Sequence, residues 1–261
     1  MKIALMDSGL GLLPAAAAVR RLRPDADLVL SWDPDGMPWG PRTPEDITER
    51  ALAVASAAAE HAPDVLIVAC NTASVHSLPA LRARFEPDLP IIGTVPAIKP
   101  AAAGGGHVAI WATPATTGSA YQRGLIERFA VGVDVTEVPC PGLADAVHHA
   151  DEAAADVAVA AAAALTPEDV TTVVLGCTNY ELVAERIRAA VQQPGRPPLI
   201  LHGTAGAVAA QALRRIGVAP ALDAAADGTL TVLLSGRQEA LPETALTYEE
   251  GRFLQAVTPA R

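Results

Sequence analysis

Two cysteines stand at matching positions in two similar stretches of the chain, and their thiols are the side chains best suited to chemistry. Cys70 ends an apolar run and is followed at once by the polar pair Asn71-Thr72. Cys177 ends a second apolar run and is followed by Thr178-Asn179. Both runs are short and rich in β-branched residues, which predicts a buried strand that leads into a helix. The sequence therefore predicts two thiols at the carboxyl ends of strands, where open α/β sheets bind their ligands.

A pair of opposed thiols suits one class of reaction in particular. Removing a proton from a carbon beside a carboxylate on one face, and returning a proton on the other face, inverts that stereocentre. One cysteine must be a thiolate and the other a thiol, and each turnover exchanges their roles. The positive end of a helix dipole at each cysteine predicts a thiol pKa below the reference of about 8.5. No cofactor is needed, and neither Lys2 nor Lys99 lies in a setting typical of a pyridoxal Schiff base.

Buried cysteines commonly serve as small packing residues, so each thiol has a structural alternative. Cys140 lies between Pro139 and Pro141 without a polar turn, and we interpret it as such a packing residue. The polar neighbours and strand-end positions of the other two cysteines favour chemistry. Three cysteines in 261 residues do not suggest a disulfide framework and indicate a reducing compartment. We expect no metal site.

Composition and charge narrow the classes of partner. Hydrophobic residues make up 51% of the chain and aromatic residues only 3%, which predicts an aliphatic core. The net charge of -10 argues against nucleic acid and against an anionic membrane as partners. An anionic small molecule stays compatible, because helix N-termini bind anions locally. No signal peptide precedes the first predicted strand and no apolar stretch is long enough to cross a bilayer, so we expect a cytoplasmic protein.

Strand and helix patterns alternate along the chain, which predicts an α/β fold of parallel sheets with helices on their faces. The repeated cysteine strand indicates two lobes, and the last segment is expected to pack on the first lobe. Lobe one is predicted to comprise residues 1–95 plus 206–261, and lobe two residues 96–205. A helix is predicted from roughly Ser74 to Phe85, with Pro79 in its early part, and a helical stretch from about Leu143 to Leu165.

Other elements follow from local signals. Prolines and glycines between Asp33 and Pro41 predict an ordered loop. Thr43-Pro44 is a helix start with its N-cap residue and a proline in the first turn. A helix is expected from about Glu181, and a final helix near Tyr248–Val257.

Six short motifs, in this order along the chain, resemble those of glutamate racemases, in the cofactor-independent aspartate/glutamate racemase superfamily. The motifs are Asp7-Ser8-Gly9, Pro38-Trp39-Gly40, Ala69-Cys70-Asn71-Thr72-Ala73, Thr113–Thr116 with Ser119-Ala120-Tyr121, Cys140-Pro141, and Leu175-Gly176-Cys177-Thr178. The resemblance spans nearly the whole chain. It implies two pseudo-twofold-related lobes, each a mostly parallel sheet flanked by helices, with the active site in the cleft between them, often assembled as a homodimer.

The resemblance also implies roles for individual residues. Cys70 and Cys177 correspond to the thiols that act on opposite faces of the substrate α-carbon. Asp7 corresponds to a catalytic aspartate near the first thiol and the substrate amine. The positions that the resemblance assigns to substrate binding are Asp7, Ser8, Trp39, Gly40, Asn71, Thr72, Thr113, Thr116, Thr178 and Asn179.

Three positions depart from the family pattern. Asn179 follows the Cys-Thr pair, where the family has a histidine that assists the second thiol. An asparagine holds a hydrogen bond but takes no proton, so weaker activation of Cys177 is expected. His148 stands where a glutamate is usual, and His202 where an acid is usual.

The leading hypothesis is interconversion of L- and D-glutamate by the two cysteines, without a cofactor. The resemblance implies that the product D-glutamate serves peptidoglycan synthesis in the bacterial cell wall. One alternative is a racemase or epimerase of a different amino acid, with a pocket reshaped by Asn179, His148 and His202. Another is a catalytically impaired homologue with a binding role.

Overall fold

A computed structural model describes residues 1–256 of the chain. Its strands are β1 (Lys2–Asp7), β2 (Asp27–Trp32), β3 (Val65–Val68), β4 (Ile91–Gly93), β5 (His107–Ala112), β6 (Val135–Pro139), β7 (Val170–Leu175), β8 (Ile200–His202), β9 (Leu230–Leu234) and β10 (Arg237–Glu239). The α-helices are α1 (Leu13–Leu22), α2 (Pro44–Ala59), α3 (Asn71–His76), α4 (Leu78–Phe85), α5 (Ile98–Ala103), α6 (Ala120–Phe129), α7 (Leu143–His148), α8 (Glu152–Ala164), α9 (Ala184–Val191), α10 (Ala205–Arg215), α11 (Glu243–Leu246) and α12 (Glu249–Ala256). Short 3-10 helices cover Leu10–Leu12, Pro34–Gly36 and Thr178–Val183. The predicted α/β class is confirmed.

The chain divides into two compact units. The first contains Met1–Val95 and the described chain from Ala205 onward, and the second contains Pro96–Thr204. Among the described residues, the first unit holds a six-stranded sheet in the order β10-β9-β2-β1-β3-β4. Its pairs are parallel except β10 with β9. The second unit holds a four-stranded parallel sheet in the order β6-β5-β7-β8.

The strand that leads to Cys70 is buried along its whole length. All four residues of β3 are buried between β1 and β4, as expected for a parallel strand covered on both faces. Small side chains on α2, at Ala51, Ala55 and Ala58, pack in the same core. The predicted start of α2 is confirmed, because Thr43 Oγ1 accepts a hydrogen bond from the Asp46 amide.

The C-terminal strand β9 is fixed to β2 by polar contacts as well as by sheet pairing. The buried Arg20 guanidinium donates to the carbonyl oxygens of Ala26 and Thr229, at 2.8 and 2.9 Å. Asp27 Oδ1 accepts from the amide of Thr229 at 2.9 Å and from its hydroxyl at 2.5 Å. These hydrogen bonds lower the pKa of Asp27. The sheet of the first unit is therefore completed by β9, a strand that lies far from β2 along the chain.

Two predicted helices are each divided in the structure. The helical stretch predicted from about Leu143 to Leu165 is present as two helices, α7 and α8, because Ala150 has a φ of 53°, in the left-handed region that interrupts a helix. Asp151 then caps α8 by accepting a hydrogen bond from the Ala154 amide at 3.0 Å. The helix predicted over Ser74–Phe85 is also interrupted, between α3 and α4, since Pro79 lacks the amide hydrogen that a continuous helix needs.

The final helix begins at Glu249 and is described to Ala256, so the predicted Val257 lies outside the described residues. The strand β10 and the helix α11 have no counterpart among the predicted elements. None of the helices in residues 1–256 combines the length and the apolar character needed to cross a membrane.

Candidate active site

The first unit brings three of the predicted site residues together. Asp7 ends β1 and Cys70 follows the neighbouring strand β3, so both lie at one edge of the sheet. Asp7 Oδ1 accepts hydrogen bonds from the amide and the hydroxyl of Ser8, at 2.5 and 3.1 Å. Ser8 Oγ lies 3.9 Å from Cys70 Sγ, and either atom can be the donor. Carboxylate, hydroxyl and thiol thus form one cluster.

Cys70 is the N-cap residue of α3, with its sulfur accepting a hydrogen bond from the Ala73 amide at 3.5 Å. The predicted decrease in its pKa is wrong. Burial raises the pKa of the Cys70 thiol well above its usual value, and the negative charge of Asp7 raises it further. The amides of Ala73 and Ser8 act in the opposite direction but do not compensate. Cys70 is 5% exposed and is therefore a thiol at neutral pH.

The other predicted residues of this unit differ in exposure. Asn71 is buried at the start of α3, Thr72 is half-buried, and Gly40 is exposed. Trp39 is 1% exposed, and its indole packs in the core beneath β3. Any substrate contact of Trp39 must therefore come from its backbone.

Sequence reasoning missed Asp33, a buried carboxylate beside the loop that carries Trp39. Asp33 Oδ2 accepts from Trp39 Nε1 at 3.1 Å and from the Arg50 guanidinium at 3.0 Å, and Oδ1 accepts from Ser235 Oγ at 2.9 Å. A side chain at Gly36 would meet this carboxylate, because a Cβ there would lie 1.9 Å from Asp33 Oδ2. The carboxylate holds the loop in place. A polar residue directly after a predicted strand was the available signal.

Cys177 begins a different kind of turn in the second unit. It precedes the 3-10 helix Thr178–Val183, and its side chain makes no capping hydrogen bond to that turn. The regular helix α9 begins only at Ala184, later than the predicted Glu181. Thr178 and Asn179 are buried in the turn, whereas Cys177 itself is half-buried.

The position of Cys177 is set by a close approach of two strands. The Gly176 amide donates to the Trp111 carbonyl at 2.7 Å, and a Cβ on Gly176 would lie 2.7 Å from that oxygen. Only glycine fits at this distance. The contact places Cys177 beside the end of β5, where the hydroxyls of Thr113 and Thr116 are 3.2 Å apart and half-buried.

Cys140 also lies close to Cys177. Its sulfur donates to the Val138 carbonyl at 3.4 Å, and the hydroxyl of the fully buried Tyr180 donates to the Cys140 carbonyl at 3.4 Å. Burial, with a smaller contribution from Cys177, raises the pKa of Cys140 to about 12. Cys140 therefore stays a thiol and serves packing.

The three departures from the family pattern all lie in the second unit. Asn179 Nδ2 donates to the Ala144 carbonyl at 3.2 Å. Burial lowers the pKa of His148, and the neighbouring His149 lowers it further, against a smaller opposite effect of Asp145. Burial also lowers the pKa of His202.

Residues 1–256 contain no cluster of three or more His, Cys, Asp or Glu side chains arranged to hold a metal ion. That a cofactor is not needed stays a prediction. Each unit thus carries a thiol, Cys70 or Cys177, that follows a parallel strand and lies beside hydroxyl and amide groups that can bind a polar substrate.

Comparison with known proteins agrees with this arrangement. Residues 14–216 match the sequence profile of the Asp/Glu/Hydantoin racemase family. Glutamate racemase of Roseiflexus sp. (strain RS-1) is 37% identical over 192 residues, which cover 72% of this chain and 70% of the relative. Glutamate racemase of Stutzerimonas stutzeri (strain A1501) is 35% identical over 239 residues, which cover 90% of this chain and 88% of the relative.

Solved structures show the same similarity. The Escherichia coli glutamate racemase, in complex with L-glutamate and the activator UDP-MurNAc-ala, superposes with a TM-score of 0.78 at 30% identity. The match covers 98% of this chain and 96% of that one. The allantoin racemase of Klebsiella pneumoniae, at 15% identity and a TM-score of 0.52, shares the fold alone. The chain belongs to the Asp/Glu/Hydantoin racemase family.

Proposed function

We propose that the protein is a glutamate racemase, an isomerase that interconverts L- and D-glutamate without a cofactor. The observation that carries the proposal is the pair of thiols, Cys70 and Cys177, each at the carboxyl end of a parallel strand and at the start of a helical turn. The similarity of most of the chain to named glutamate racemases supports the choice of substrate.

The reaction needs only protons to move. The thiolate of one cysteine takes the proton from the substrate Cα and becomes a thiol, and the electron pair left on Cα is delocalised into the α-carboxylate. The thiol of the other cysteine gives its proton to the opposite face of Cα and becomes a thiolate. The stereocentre is inverted, and the next turnover runs in the reverse sense.

The buried state of Cys70 suggests how the reaction starts. Because burial and Asp7 keep Cys70 protonated, we assign Cys70 as the initial proton donor. Cys177 is then the thiol that must ionise to act as the base. Asp7, whose carboxylate lies beside Cys70, is assigned to the substrate ammonium group as well.

The carboxylates of glutamate need several hydrogen-bond donors. In the first unit we assign this role to the side chains of Ser8, Asn71 and Thr72 and to the backbone at Trp39 and Gly40. In the second unit the side chains assigned to it are Thr113, Thr116, Thr178 and Asn179. Hydroxyl and amide groups of this kind donate without adding charge, so they suit a zwitterionic substrate.

Deuterium exchange tests the function directly. The enzyme is incubated in D₂O with L-glutamate and, separately, with D-glutamate, and loss of the Cα proton signal is followed by NMR while circular dichroism follows inversion. We expect exchange and inversion from both enantiomers. Absence of exchange with either would overturn the proposal. Exchange restricted to another amino acid in a panel would instead support the alternative substrate suggested by Asn179, His148 and His202.

The proposed activity also carries expectations about assembly and location. We propose a homodimer in the cytoplasm, where D-glutamate would supply peptidoglycan precursors, without nucleic acid or membrane partners. The net charge of -10 supports the expectation that neither nucleic acid nor an anionic membrane is a partner. Light scattering after gel filtration measures the oligomeric state, and a monomeric active enzyme would contradict the dimer.

A further inference from the structure

Three buried side-chain polar atoms in the second unit have no hydrogen-bond partner within residues 1–256: Gln122 Oε1, His148 Nδ1 and Asn179 Oδ1. The last two belong to elements that pack against each other. Asn179 as a whole is 7% exposed. Buried polar atoms are nearly always paired in proteins, and an exception calls for a physical explanation.

The two residues come from elements that pack against each other, α7 and the 3-10 helix Thr178–Val183. Asn179 Nδ2 already donates to the Ala144 carbonyl at 3.2 Å. In an α-helix that carbonyl faces the amide of the residue four positions later, which is His148. The Asn179 carboxamide therefore lies next to the backbone of His148.

The direction of the histidine side chain strengthens this placement. Side chains on an α-helix lean toward its N-terminus, so the His148 imidazole projects over the turn that contains Ala144. Nδ1 is the ring nitrogen nearer the backbone. The imidazole nitrogen and the amide oxygen, both buried and both without a partner, are therefore expected to face each other where α7 packs against the 3-10 helix Thr178–Val183.

Their chemistry is complementary. The environment of His148 favours the neutral ring, which carries its proton on one of the two nitrogens. A proton on Nδ1 makes that nitrogen a donor, and a carboxamide oxygen is an acceptor. The charged or titratable groups that influence His148 are Asp145 and His149.

We propose that His148 is the positioning residue for Asn179, through a hydrogen bond from Nδ1 to Asn179 Oδ1 that forms in the working enzyme. In this proposal His148 holds Oδ1 and Ala144 holds one Nδ2 hydrogen, and the second Nδ2 hydrogen donates to the sulfur of Cys177, two residues earlier in the chain. This hydrogen stabilises the Cys177 thiolate. The inference rests on the proposed racemase activity, and it explains how an asparagine serves beside the second thiol.

Four variants test the proposal. His148→Leu removes the donor, whereas His148→Asn keeps a nitrogen donor near the position of Nδ1. Asn179→Leu removes the acceptor, and His76→Leu, at an exposed histidine in the first unit, is the control. Two quantities are measured for each: kcat/KM for glutamate racemisation, and the rate at which iodoacetamide alkylates Cys177 and Cys70 at pH 7, read by peptide mass spectrometry.

We expect His148→Leu to lower kcat/KM about tenfold, the effect of losing one hydrogen bond that supports a charged group. Alkylation of Cys177 should slow by a similar factor, while alkylation of Cys70 stays unchanged. His148→Asn should restore both values to within about threefold of wild type. The double variant with Asn179→Leu should be no worse than Asn179→Leu alone, since the two residues act as a unit.

Equal behaviour of His148→Leu and wild type would overturn the proposal, as would equal slowing of Cys70 and Cys177. The proposal would also be overturned if His148→Asn failed to restore the alkylation rate of Cys177. If His148→Leu does not fold, His148→Gln replaces it. The glutamine amide lies farther from the backbone than Nδ1 of histidine, so this variant should not restore the alkylation rate of Cys177. The alkylation assay needs no glutamate, so it tests this pair even if the wild-type enzyme shows no exchange and the proposed function fails.

Discussion

The Cys70 turn and the Cys177 turn share a sequence pattern but differ in how they hold their sulfur atoms. Cys70 caps the α-helix α3, its sulfur accepts an amide hydrogen bond, and it is buried beside Asp7. Cys177 opens a 3-10 helix without such a cap, and it is half-buried. The two thiols are therefore prepared for different starting roles, and the motif alone does not reveal which.

A second difference concerns the polar groups behind each thiol. The Cys70 side has a carboxylate with a hydroxyl bonded to it, Asp7 and Ser8. The Cys177 side has a neutral amide, Asn179, and a neutral imidazole, His148. Burial and the Asp7 charge together raise the pKa of the first thiol, whereas in our proposal directed hydrogen bonds act on the second. The predictions below test this contrast.

The largest effect is expected from removing either sulfur atom. Cys70→Ala and Cys177→Ala should each lower racemisation by roughly 10³-fold or more, because each deletes one acid–base group of a two-base reaction. Circular dichroism of glutamate solutions measures the rate. Cys140→Ala is the control, since it removes a buried thiol but keeps both reacting ones. A single-cysteine variant that racemises at the wild-type rate would show that the two sides are not both required.

The next effect separates the electrostatics of the two turns. Asp7→Asn removes the negative charge that raises the pKa of Cys70, so a larger fraction of Cys70 becomes thiolate. We expect faster alkylation of Cys70 at pH 8, because its pKa falls when the Asp7 charge is removed, and no change at Cys177. Asp35→Asn, an exposed carboxylate in the same unit, is the control. Unchanged Cys70 reactivity in Asp7→Asn would contradict the claim that the charge of Asp7 raises the pKa of Cys70.

A smaller effect is expected from the backbone beneath Cys177. Gly176→Ala places a Cβ 2.7 Å from the Trp111 carbonyl oxygen, and the backbone must move to relieve it, which should cost about 1–3 kcal/mol in the free energy of unfolding. The corresponding residue before Cys70 is Ala69, where a Cβ is tolerated. Urea unfolding measures the change. Gly124→Ala, in open space on α6, should instead stabilise by up to about 1 kcal/mol. A Gly176→Ala variant as stable as wild type would contradict the close approach.

The smallest effect is a pH dependence of stability. The pKa values of His148 and His202 are lowered in the folded protein, so below about pH 6.5 the unfolded chain binds more protons than the folded one. The contribution of the two neutral histidines to the free energy of unfolding is fully present above that pH. It is lost as the pH falls toward the pKa values of the folded protein. We expect His148→Asn combined with His202→Asn to reduce the acid-induced loss of unfolding free energy. An identical pH profile in the double variant would contradict these assignments.

Local patterns were sufficient for the elements that carry the thiols. The β-branched runs before Cys70 and Cys177 form buried parallel strands, and Thr43 caps α2 as predicted. The interruption at Ala150 also had a local signal, since Asp151 followed by Glu152 is a helix start. Periodicity over the alanine-rich segment obscured it.

Features that depend on distant contacts were not predictable in the same way. The pKa of Cys70 rises because burial and Asp7 act on it together, and neither the burial nor the proximity is a property of the local motif. Asp33 is held by Ser235, which is 202 positions away in the chain. Cys177 begins a 3-10 helix in which Asn179 and Tyr180 are buried, and that burial is not a property of the local motif.

During synthesis, the nascent chain leaves the ribosome with β2 unpaired on one side. Its partner β9 emerges only after the whole of Pro96–Thr204, which completes its own sheet from continuous sequence. Until then the amide and carbonyl groups along the outer edge of β2 are open to pairing with another chain. Over the same interval, Arg20 and Asp27 lack the hydrogen bonds that they form with Thr229 in the folded protein. The order of translation therefore makes the first unit the last to finish and the more exposed to aggregation or chaperone capture.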